Sequence, residues 1–286
     1  MGVTKLGGEK LKTISLINMK GGVAKTTLAI NIADSLVRRH NAKVLLLDVD
    51  PQFNATQCLM TPEQYFDHLS KGQDTILNVF DRASRVVASA VSSSQVATPK
   101  LLEEIRVVEI KNDFHLLPGN LELYRLEMAP GDGRENRLKN FIQKIDGDYD
   151  FVIIDTPPTP SVWMTSALIA SDYYLIPVKA DPISLTGIDL LKSIIAERRE
   201  NFNLNLNCAG LVLTLTESNT LVLRNAINNL EKDVYWRDYL YPISLPKRTG
   251  IAQGQLEQTQ ILDGDNPEAK KAISAITTEL LNRVQK

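Results

Sequence analysis

The chain has 286 residues, of which 43% are hydrophobic and 23% are charged, and its formal net charge is −2. This length and hydrophobic content allow one large α/β domain with a sizeable core, or two small domains. The near-neutral charge excludes a polycation, so any contact with nucleic acid must come from a local basic patch.

The cysteines and the apolar runs indicate the cellular compartment. Cys58 and Cys208 lie far apart without the spacing of metal ligands, which argues against a disulfide scaffold and a zinc site and fits a reducing cytosol. No apolar run is long enough to span a bilayer, and the polar residues 1–12 lack the apolar core of a signal peptide. We therefore expect a cytoplasmic protein in which residues 1–12 form a flexible lead-in to the first strand.

The first 48 residues predict one strand–helix–strand unit. Residues 13–17 are apolar and rich in β-branched side chains, which predicts a strand. A turn containing glycine follows, and apolar residues then repeat at helical spacing over 25–39. Residues 44–47 are apolar on both faces, as expected of a buried parallel strand. The connection between the two strands is right-handed by default.

The rest of the chain continues this alternation. The pattern predicts further strands over 114–118, 151–154, 173–178 and 211–215, and helices over 137–145, 185–199, 221–231 and 267–284. Residues 61–112 are harder to interpret: 76–91 is compatible with a helix, and the serine and proline residues over 92–99 favour a surface loop. The alternation implies an α/β fold, with a mostly parallel, twisted sheet flanked by helices on both faces. We expect residues 1–286 to form a single domain in which 61–112 is a variable insertion.

Residues 18–27 have the composition of a phosphate-binding loop and lie between a buried strand and a helix, the context that such a loop requires. Gly21 and Gly22 have no Cβ, so backbone N–H groups can approach phosphate oxygens, and the following helix N-terminus adds partial positive charge. Lys25 would reach the β- and γ-phosphates. A plain tight turn is the alternative, but it would need only the glycine pair.

The two threonines that follow extend the predicted nucleotide site. Thr26 would place a hydroxyl on Mg²⁺, and Thr27, one residue further into the helix, could bind the α-phosphate. The candidate nucleotide-binding residues in this segment are Lys20, Gly21, Gly22, Val23, Ala24, Lys25, Thr26 and Thr27.

The segment KGGVAKTT resembles the deviant Walker A motif of the ParA/MinD ATPases, K-G-G-x-G/A-K-T-T/S. It departs from the common P-loop pattern because Met19 and Ala24 stand where that pattern has glycines. The resemblance implies a P-loop NTPase fold, ATP and Mg²⁺ as cofactors, a weak intrinsic ATPase activity and a homodimer formed with ATP. It also implies that Lys20 acts in trans, on the nucleotide of the partner subunit.

Two acidic segments match the same family. Asp155 ends the apolar run 151–154 and begins a D-x-P-P segment, which resembles Walker B and makes Asp155 a candidate for the Mg²⁺ shell. Asp48 and Asp50 belong to a segment that resembles switch I, D-x-D-P-Q-x-N-A-T, in which Phe53 replaces the usual glycine. The resemblance implies that Asp48 supports Mg²⁺ and that Asp50 orients or activates the attacking water. The alternative for each aspartate is a turn cap at a strand end.

Further segments resemble plasmid partition ATPases of this family, L-P-x-N-L-x-L at 117–123 and R-E-x-x-L at 134–138. The similarity covers most of residues 12–286 and is weakest over 61–112. It implies that the ATP-bound dimer binds nonspecific double-stranded DNA, that a ParB-type partner stimulates hydrolysis, and that the protein associates with the nucleoid. The candidate catalytic residues are then Lys20, Lys25 and Asp50.

DNA contact needs a basic surface. The candidates are Lys192, Arg199, Arg224, Lys247, Arg248 and Lys271. Lys192 and Arg199 are two helical turns apart and share a helix face, although ordinary solvated side chains remain the alternative for each residue. The family places the loop around Pro242 near the nucleotide base, so Lys247 and Arg248 could serve either role.

Two other functions of relatives compete with DNA partition. Membrane positioning, as in MinD, needs a bulky amphipathic C-terminal helix, but the apolar stripe over 267–284 is narrow and lacks Phe and Trp. We expect that stripe to pack against the sheet, and we expect no membrane partner. Nitrogenase iron proteins hold a cluster on two cysteines, and Cys58 and Cys208 are not at the family's cluster positions. Relatives that position protein cargo on the nucleoid remain an alternative, and the sequence does not name the cargo.

Overall fold

The computed structural model describes residues 10–82, 85–87, 95–97, 99–128 and 133–285. Its strands are β1 Lys12–Leu16, β2 Val44–Asp48, β3 Arg85–Val87, β4 Gln95–Ala97, β5 Val108–Lys111, β6 Phe114–Leu117, β7 Phe151–Asp155, β8 Tyr173–Lys179 and β9 Asn207–Thr214. Its helices are α1 Lys25–His40, α2 Asn54–Gln57, α3 Pro62–Ser70, α4 Ile76–Phe80, α5 Leu123–Met128, α6 Arg137–Lys144, α7 Val162–Ala170, α8 Pro182–Phe202, α9 Leu221–Lys232, α10 Thr249–Leu256 and α11 Pro267–Val284.

Seven of these strands form one sheet in the order β5-β6-β2-β7-β1-β8-β9, and β3 pairs with β4 separately. Every neighbouring pair in the large sheet is parallel except β5 and β6, which are antiparallel. The carboxyl ends of β1, β2 and β7 therefore meet at one edge, where ligands bind in open α/β sheets. This architecture confirms the predicted α/β class with a mostly parallel sheet.

Helices cover both faces of the sheet because its central strands are apolar on both sides. Val44 and Leu46 of β2 belong to the same core cluster as the apolar faces of α1 and α11. Leu45 and Leu47 point the other way, into a cluster that contains Trp163 of α7 and side chains of α4 and α6. Burial of both faces explains why β2 reads as an uninterrupted apolar run.

The C-terminal helix α11 packs as the sequence predicts. Its stripe of Ile273, Ile276, Leu280 and Val284 is fully buried or nearly so, in the core cluster that α1 shares. Within the described residues, no helix is both long enough and apolar enough to cross a membrane.

The helix that the sequence allows over 76–91 forms only over Ile76–Phe80 within the described residues. Thr75 caps α4 in a capping box with Asn78, but the helix ends at Phe80, and Arg85–Val87 forms a strand. The short helix is held because Ile76, Val79 and Phe80 are buried in the core. Within the loop predicted over 92–99, Gln95–Ala97 forms strand β4. Residues 92–94 and 98 lie outside the described residues, and so do residues 1–9 of the predicted lead-in.

Candidate nucleotide-binding site

The phosphate loop connects β1 to α1 in a strained turn. Gly22 and Ala24 both have positive φ, 68° and 62°. Glycine adopts this conformation freely, whereas an L-residue such as Ala24 loses about 1–2 kcal/mol. Asn18 fixes the start of the loop, since its side chain donates to the Pro177 carbonyl at 2.7 Å and accepts from the Lys20 amide at 2.9 Å. The loop is thus anchored to β8 before it reaches the helix.

Lys25 begins α1 with its ammonium folded back over the loop. Its Nζ donates to the carbonyl oxygens of Asn18 at 3.0 Å and Lys20 at 3.3 Å, and the residue is only 7% exposed. Burial lowers the pKa of Lys25, and the nearby Asp155 and Asp50 partly oppose this shift. The result is a buried amine directed into the loop, close to two carboxylates.

Asp48 and Asp155 lie side by side because β2 and β7 pair in the register that aligns them. Thr26 Oγ1 donates to Asp155 Oδ2 at 2.7 Å, and Asp48 Oδ2 accepts from the amide and the hydroxyl of Thr56. The other oxygen of each carboxylate is buried and has no hydrogen-bond partner among the described residues. Two orphaned carboxylate oxygens beside a threonine hydroxyl are a donor set that fits Mg²⁺, which prefers oxygen ligands.

Burial raises the pKa of both carboxyl groups. The pKa of Asp155 rises to about 7, with burial as the largest cause. The pKa of Asp48 rises well above its ordinary value, first through burial and then through the charge of Asp155. A cation between them would therefore relieve an unfavourable pair of buried charges.

The unfavourable burial of the Asp155 charge predicts that an Asp155→Asn variant, without metal or nucleotide, gains stability as the pH rises. A carboxyl group whose pKa is raised on folding stabilises the protein at pH values below its pKa in the unfolded chain. This contribution is lost as the pH rises towards about 7, the pKa of Asp155 in the folded protein. The free energy of unfolding of the variant relative to wild type should thus increase between pH 4 and pH 8, by at most about 1.4 kcal/mol per pH unit. Urea unfolding at intervals of one pH unit measures this difference.

The matched control is Asp238→Asn, because the side chain of Asp238 is 78% exposed. Its difference from wild type should stay flat over the same range. If the free energies of unfolding of Asp155→Asn and wild type change in parallel with pH, ionisation of Asp155 does not destabilise the folded protein.

Asp50 faces the phosphate loop from the turn after β2. The residue is only 5% exposed, and its Oδ1 accepts from the Gln52 amide at 2.9 Å. Burial raises the pKa of Asp50, whereas the Gln52 N–H and the charge of Lys25 lower it. The carboxylate is therefore held by its own turn and directed towards the loop.

These residues surround a cavity of about 310 Å³. Its lining is Gly21, Gly22, Val23, Ala24, Lys25, Thr26, Thr27, Asp50, Gln52, Asn54, Cys58, Pro158 and Gln255. Every predicted loop residue from Gly21 to Thr27 is in this lining, together with Asp50. Gln52 and Asn54 are not among the predicted site residues, although both lie in the D-x-D-P-Q-x-N-A-T segment.

Gln255 of α10 joins this cavity to a second one. Its Nε2 donates to Thr27 Oγ1 at 2.9 Å, and both residues also line an adjoining cavity of about 270 Å³. The second lining is mostly apolar and includes Leu245, Pro246 and Ile251. Pro242, which the sequence predicts near the base, is exposed and lines neither cavity. Pro246, from the same loop, lines the second cavity.

Lys20 lies beside the phosphate loop with its side chain 37% exposed. Its Nζ forms an ion pair with Asp181, at 3.1 Å and 3.3 Å from the two carboxylate oxygens. Lys179 also approaches Asp181, at 3.8 Å. Lys20 is thus engaged within its own chain and does not line the phosphate cavity.

The candidate DNA-contacting residues differ in their surroundings. Arg199, Arg224 and Lys271 are exposed, while Lys192 places its Nζ 3.3 Å from the ring centroid of Tyr235. Lys247 and Arg248 pair with acidic residues, Glu217 and Glu268, and both line the second cavity.

Known proteins resemble this chain over most of its length. A family model described as an AAA domain matches residues 11–208. The chromosome-partitioning ATPase Soj of Thermus thermophilus is 28% identical over 280 residues, which cover 96% of this chain and 98% of Soj. The virulence plasmid ParA family protein pGP5-D of Chlamydia psittaci is 26% identical over 278 residues, 96% of each chain.

The fold also matches a solved structure. The ATP complex of a McdA variant from Cyanothece superposes with a TM-score of 0.77 at 19% identity, covering 96% of this chain and 98% of that one. With a family model spanning most of its length and ParA-type relatives along nearly all of it, the chain belongs to the AAA domain family, among the Soj/ParA partition ATPases.

Proposed function

We propose that this protein is a DNA partition ATPase that hydrolyses ATP slowly at the 18–27 loop and changes its oligomeric state with the bound nucleotide. The observation that carries the proposal is the convergence of Lys25, Thr26 and Asp50 on the phosphate cavity, at the carboxyl edge of the sheet, with Asp155 bound to the Thr26 hydroxyl. In the proposed cycle, the ATP-bound dimer binds nonspecific double-stranded DNA at the nucleoid. A ParB-type partner then stimulates hydrolysis and the dimer opens.

The two joined cavities suggest how ATP would lie. The loop amides, Lys25 and the threonines would bind the phosphates in the first cavity. The apolar second cavity, with Pro246 and Ile251, suits the adenine base. Gln255 and Thr27 line both cavities and would lie between the two ends of the nucleotide.

Thr26, Asp48 and Asp155 would hold Mg²⁺. When bound, this ion would offset the negative charge of the phosphate oxygens. Asp50 accepts a hydrogen bond from the attacking water and orients it towards the γ-phosphorus. The water oxygen bonds to the γ-phosphorus, the bond from this phosphorus to the β–γ bridging oxygen breaks, and its electron pair leaves with ADP. One water proton passes to the Asp50 carboxylate and from there to the released phosphate. Lys25 compensates the charge on the phosphates through a charge-assisted hydrogen bond.

Dimer formation would give Lys20 a second role. In the single chain its ammonium pairs with Asp181, a partly exposed contact of the kind that contributes at most about 1 kcal/mol. Such a weak pair can be exchanged for a phosphate of the facing subunit at modest cost. Lys20 would then complete the partner's site in trans.

The DNA-contacting surface would centre on the exposed arginines of α8 and α9. Arg199 and Arg224 have no carboxylate within ion-pair distance among the described residues, so their charge is available to phosphates. Lys192 would contribute less because it lies over Tyr235. Lys247 and Arg248 line the second cavity, which favours a role near the base over DNA contact.

The test is the binding of a nonspecific duplex with ATP, at several salt concentrations. Binding should require ATP, and its logarithm should fall linearly with the logarithm of salt. Arg199→Ala and Arg224→Ala should each weaken binding to all sequences alike and reduce the salt slope by about 1 per lost phosphate contact.

Lys71→Ala is the matched control, because Lys71 is an exposed cation that follows α3, outside α8 and α9, and pairs with Asp67. It should bind DNA as wild type does. ATP-dependent binding to anionic liposomes without binding to DNA would contradict the proposal and favour membrane positioning.

A further inference from the structure

Phe53 has a backbone conformation that opposes its residue type. Its φ is 42°, in the left-handed region that costs an L-residue and suits glycine. It precedes α2 and ends the turn that begins at Asp50, since the Phe53 amide donates to the Asp50 carbonyl at 2.8 Å. Such strain persists only where the surrounding contacts maintain it.

An aromatic stack maintains this conformation. The ring of Phe53 lies 5.2 Å from that of Tyr65, with the two planes 22° apart. Tyr65 belongs to α3, and its hydroxyl donates to the Gly119 carbonyl at 2.9 Å. The stack therefore connects the Asp50 turn to α3 and to the turn that follows β6.

Gly119 closes a circuit of contacts back to the acidic pair. Its amide donates to Thr56 Oγ1 at 2.8 Å, and Thr56 in turn donates to Asp48. A Cβ on Gly119 would lie 2.6 Å from the Cβ of Phe53 and 3.0 Å from Asp48 Oδ2. The packing is thus too tight for a larger residue, and Phe53 has little freedom to move.

We propose that Phe53 and Tyr65 are positioning residues for ATP hydrolysis, holding the carboxylate of Asp50 at the phosphate cavity through their stacked rings. The inference rests on the proposed ATPase function. Neither ring lines the phosphate cavity, so both act through the turn. The same turn sets the Asp50 carboxylate, because its Oδ1 accepts from the Gln52 amide.

The stacked rings also connect α3 to the turn that carries Asp50. Helix α3 starts at the beginning of the 61–112 segment, away from the phosphate loop, and it reaches Asp50 through one aromatic pair. A movement of α3 would separate the rings and release the turn. Helix α3 thereby helps to hold the turn that carries Asp50.

The test compares Phe53→Ala and Phe53→Gly in the full chain, with kcat, KM for ATP and melting temperature measured for each. Both variants lose the ring, but glycine also relieves the strain at φ 42°. We expect kcat to fall about tenfold in both with KM within about twofold. The melting temperature of Phe53→Gly should equal or exceed that of Phe53→Ala.

Two further variants sharpen the comparison. Phe53→Tyr keeps the stack and should have the wild-type kcat. Phe66→Ala removes an aromatic side chain of α3 that is 69% exposed, and its kcat should also match wild type. The inference is overturned if Phe53→Ala keeps the wild-type kcat, or if kcat follows melting temperature so that Phe53→Gly is the more active variant. If the wild-type protein has no ATPase activity, the proposed function is refuted. If wild type is active, Asp50→Ala is inactive and Phe53→Ala is fully active, this inference alone is refuted.

Discussion

An Asp50→Ala variant is expected to lose at least about 100-fold in ATP turnover while it still binds ATP, since a positioned general base contributes about 10²–10⁴-fold. Asp50 is the carboxylate that faces the phosphate cavity without belonging to the paired donor set of Asp48 and Asp155. Its removal takes away the group that orients water and leaves the loop amides and Lys25 in place. Phosphate release and ATP affinity, measured on the same preparation, separate these two effects.

Asp67→Ala is the matched control for this loss. Asp67 is exposed on α3 and forms its ion pair with Lys71, so its removal should leave both turnover and ATP affinity unchanged. The assignment of Asp50 fails if its alanine variant turns over ATP within about tenfold of wild type. It also fails if ATP binding disappears together with turnover.

A Lys20→Ala variant should bind ATP and yet lose the turnover that a ParB-type partner stimulates, because its amine is proposed to serve the facing subunit. Mixing it with Asp50→Ala tests this directly. In the mixed dimer the Lys20→Ala protomer keeps its own Asp50 and receives Lys20 from the other chain. Because a two-fold dimer has two equivalent sites, random mixing leaves about one site in four complete.

Stimulated turnover should therefore return to about a quarter of wild type when two inactive proteins are combined. Lys179→Ala, which removes the other lysine near Asp181, should keep its activity unmixed and serves as the control. An equimolar mixture no more active than its components would place the function of Lys20 within its own chain.

The parts of the fold that the sequence predicts well are those with uninterrupted burial. Strands β1, β2 and β7 end within about one residue of their predicted bounds, within the usual uncertainty of such assignments. Burial on both faces makes them read as apolar runs, and α1 and α11 have clear helical periodicity. The loop and the strand-end aspartates follow from these elements, because parallel strands bring their carboxyl ends together.

The sequence is less informative where the buried residues show no helical or strand periodicity. Helix α7 has every residue from Trp163 to Ile169 buried, so it shows no amphipathic pattern, and the sequence analysis does not predict it. The described parts of 61–112 form short helices, the β3–β4 pair and the antiparallel edge strand β5. Tertiary contacts such as that of Tyr65 with Gly119 hold these elements in place. Local propensity does not report contacts of this kind.

Contacts between distant segments account for the rest of the site. Gln255 reaches Thr27 across 228 residues, and no motif in its own helix marks it. Lys20 with Asp181, and Lys247 with Glu217, are pairs that only the folded chain defines. Phe53 is the intermediate case, because the motif identifies it as unusual and the structure supplies the ring that it contacts.

The molar mass of the Asp50→Ala variant in solution, measured by light scattering with Mg²⁺ and either ATP or ADP, tests the nucleotide switch most directly. If the phosphate loop and a lysine of the facing chain enclose the γ-phosphate together, the protein should have twice the protomer mass with ATP and the protomer mass with ADP. A single protomer mass in both nucleotides, with ATP demonstrably bound, would contradict the account.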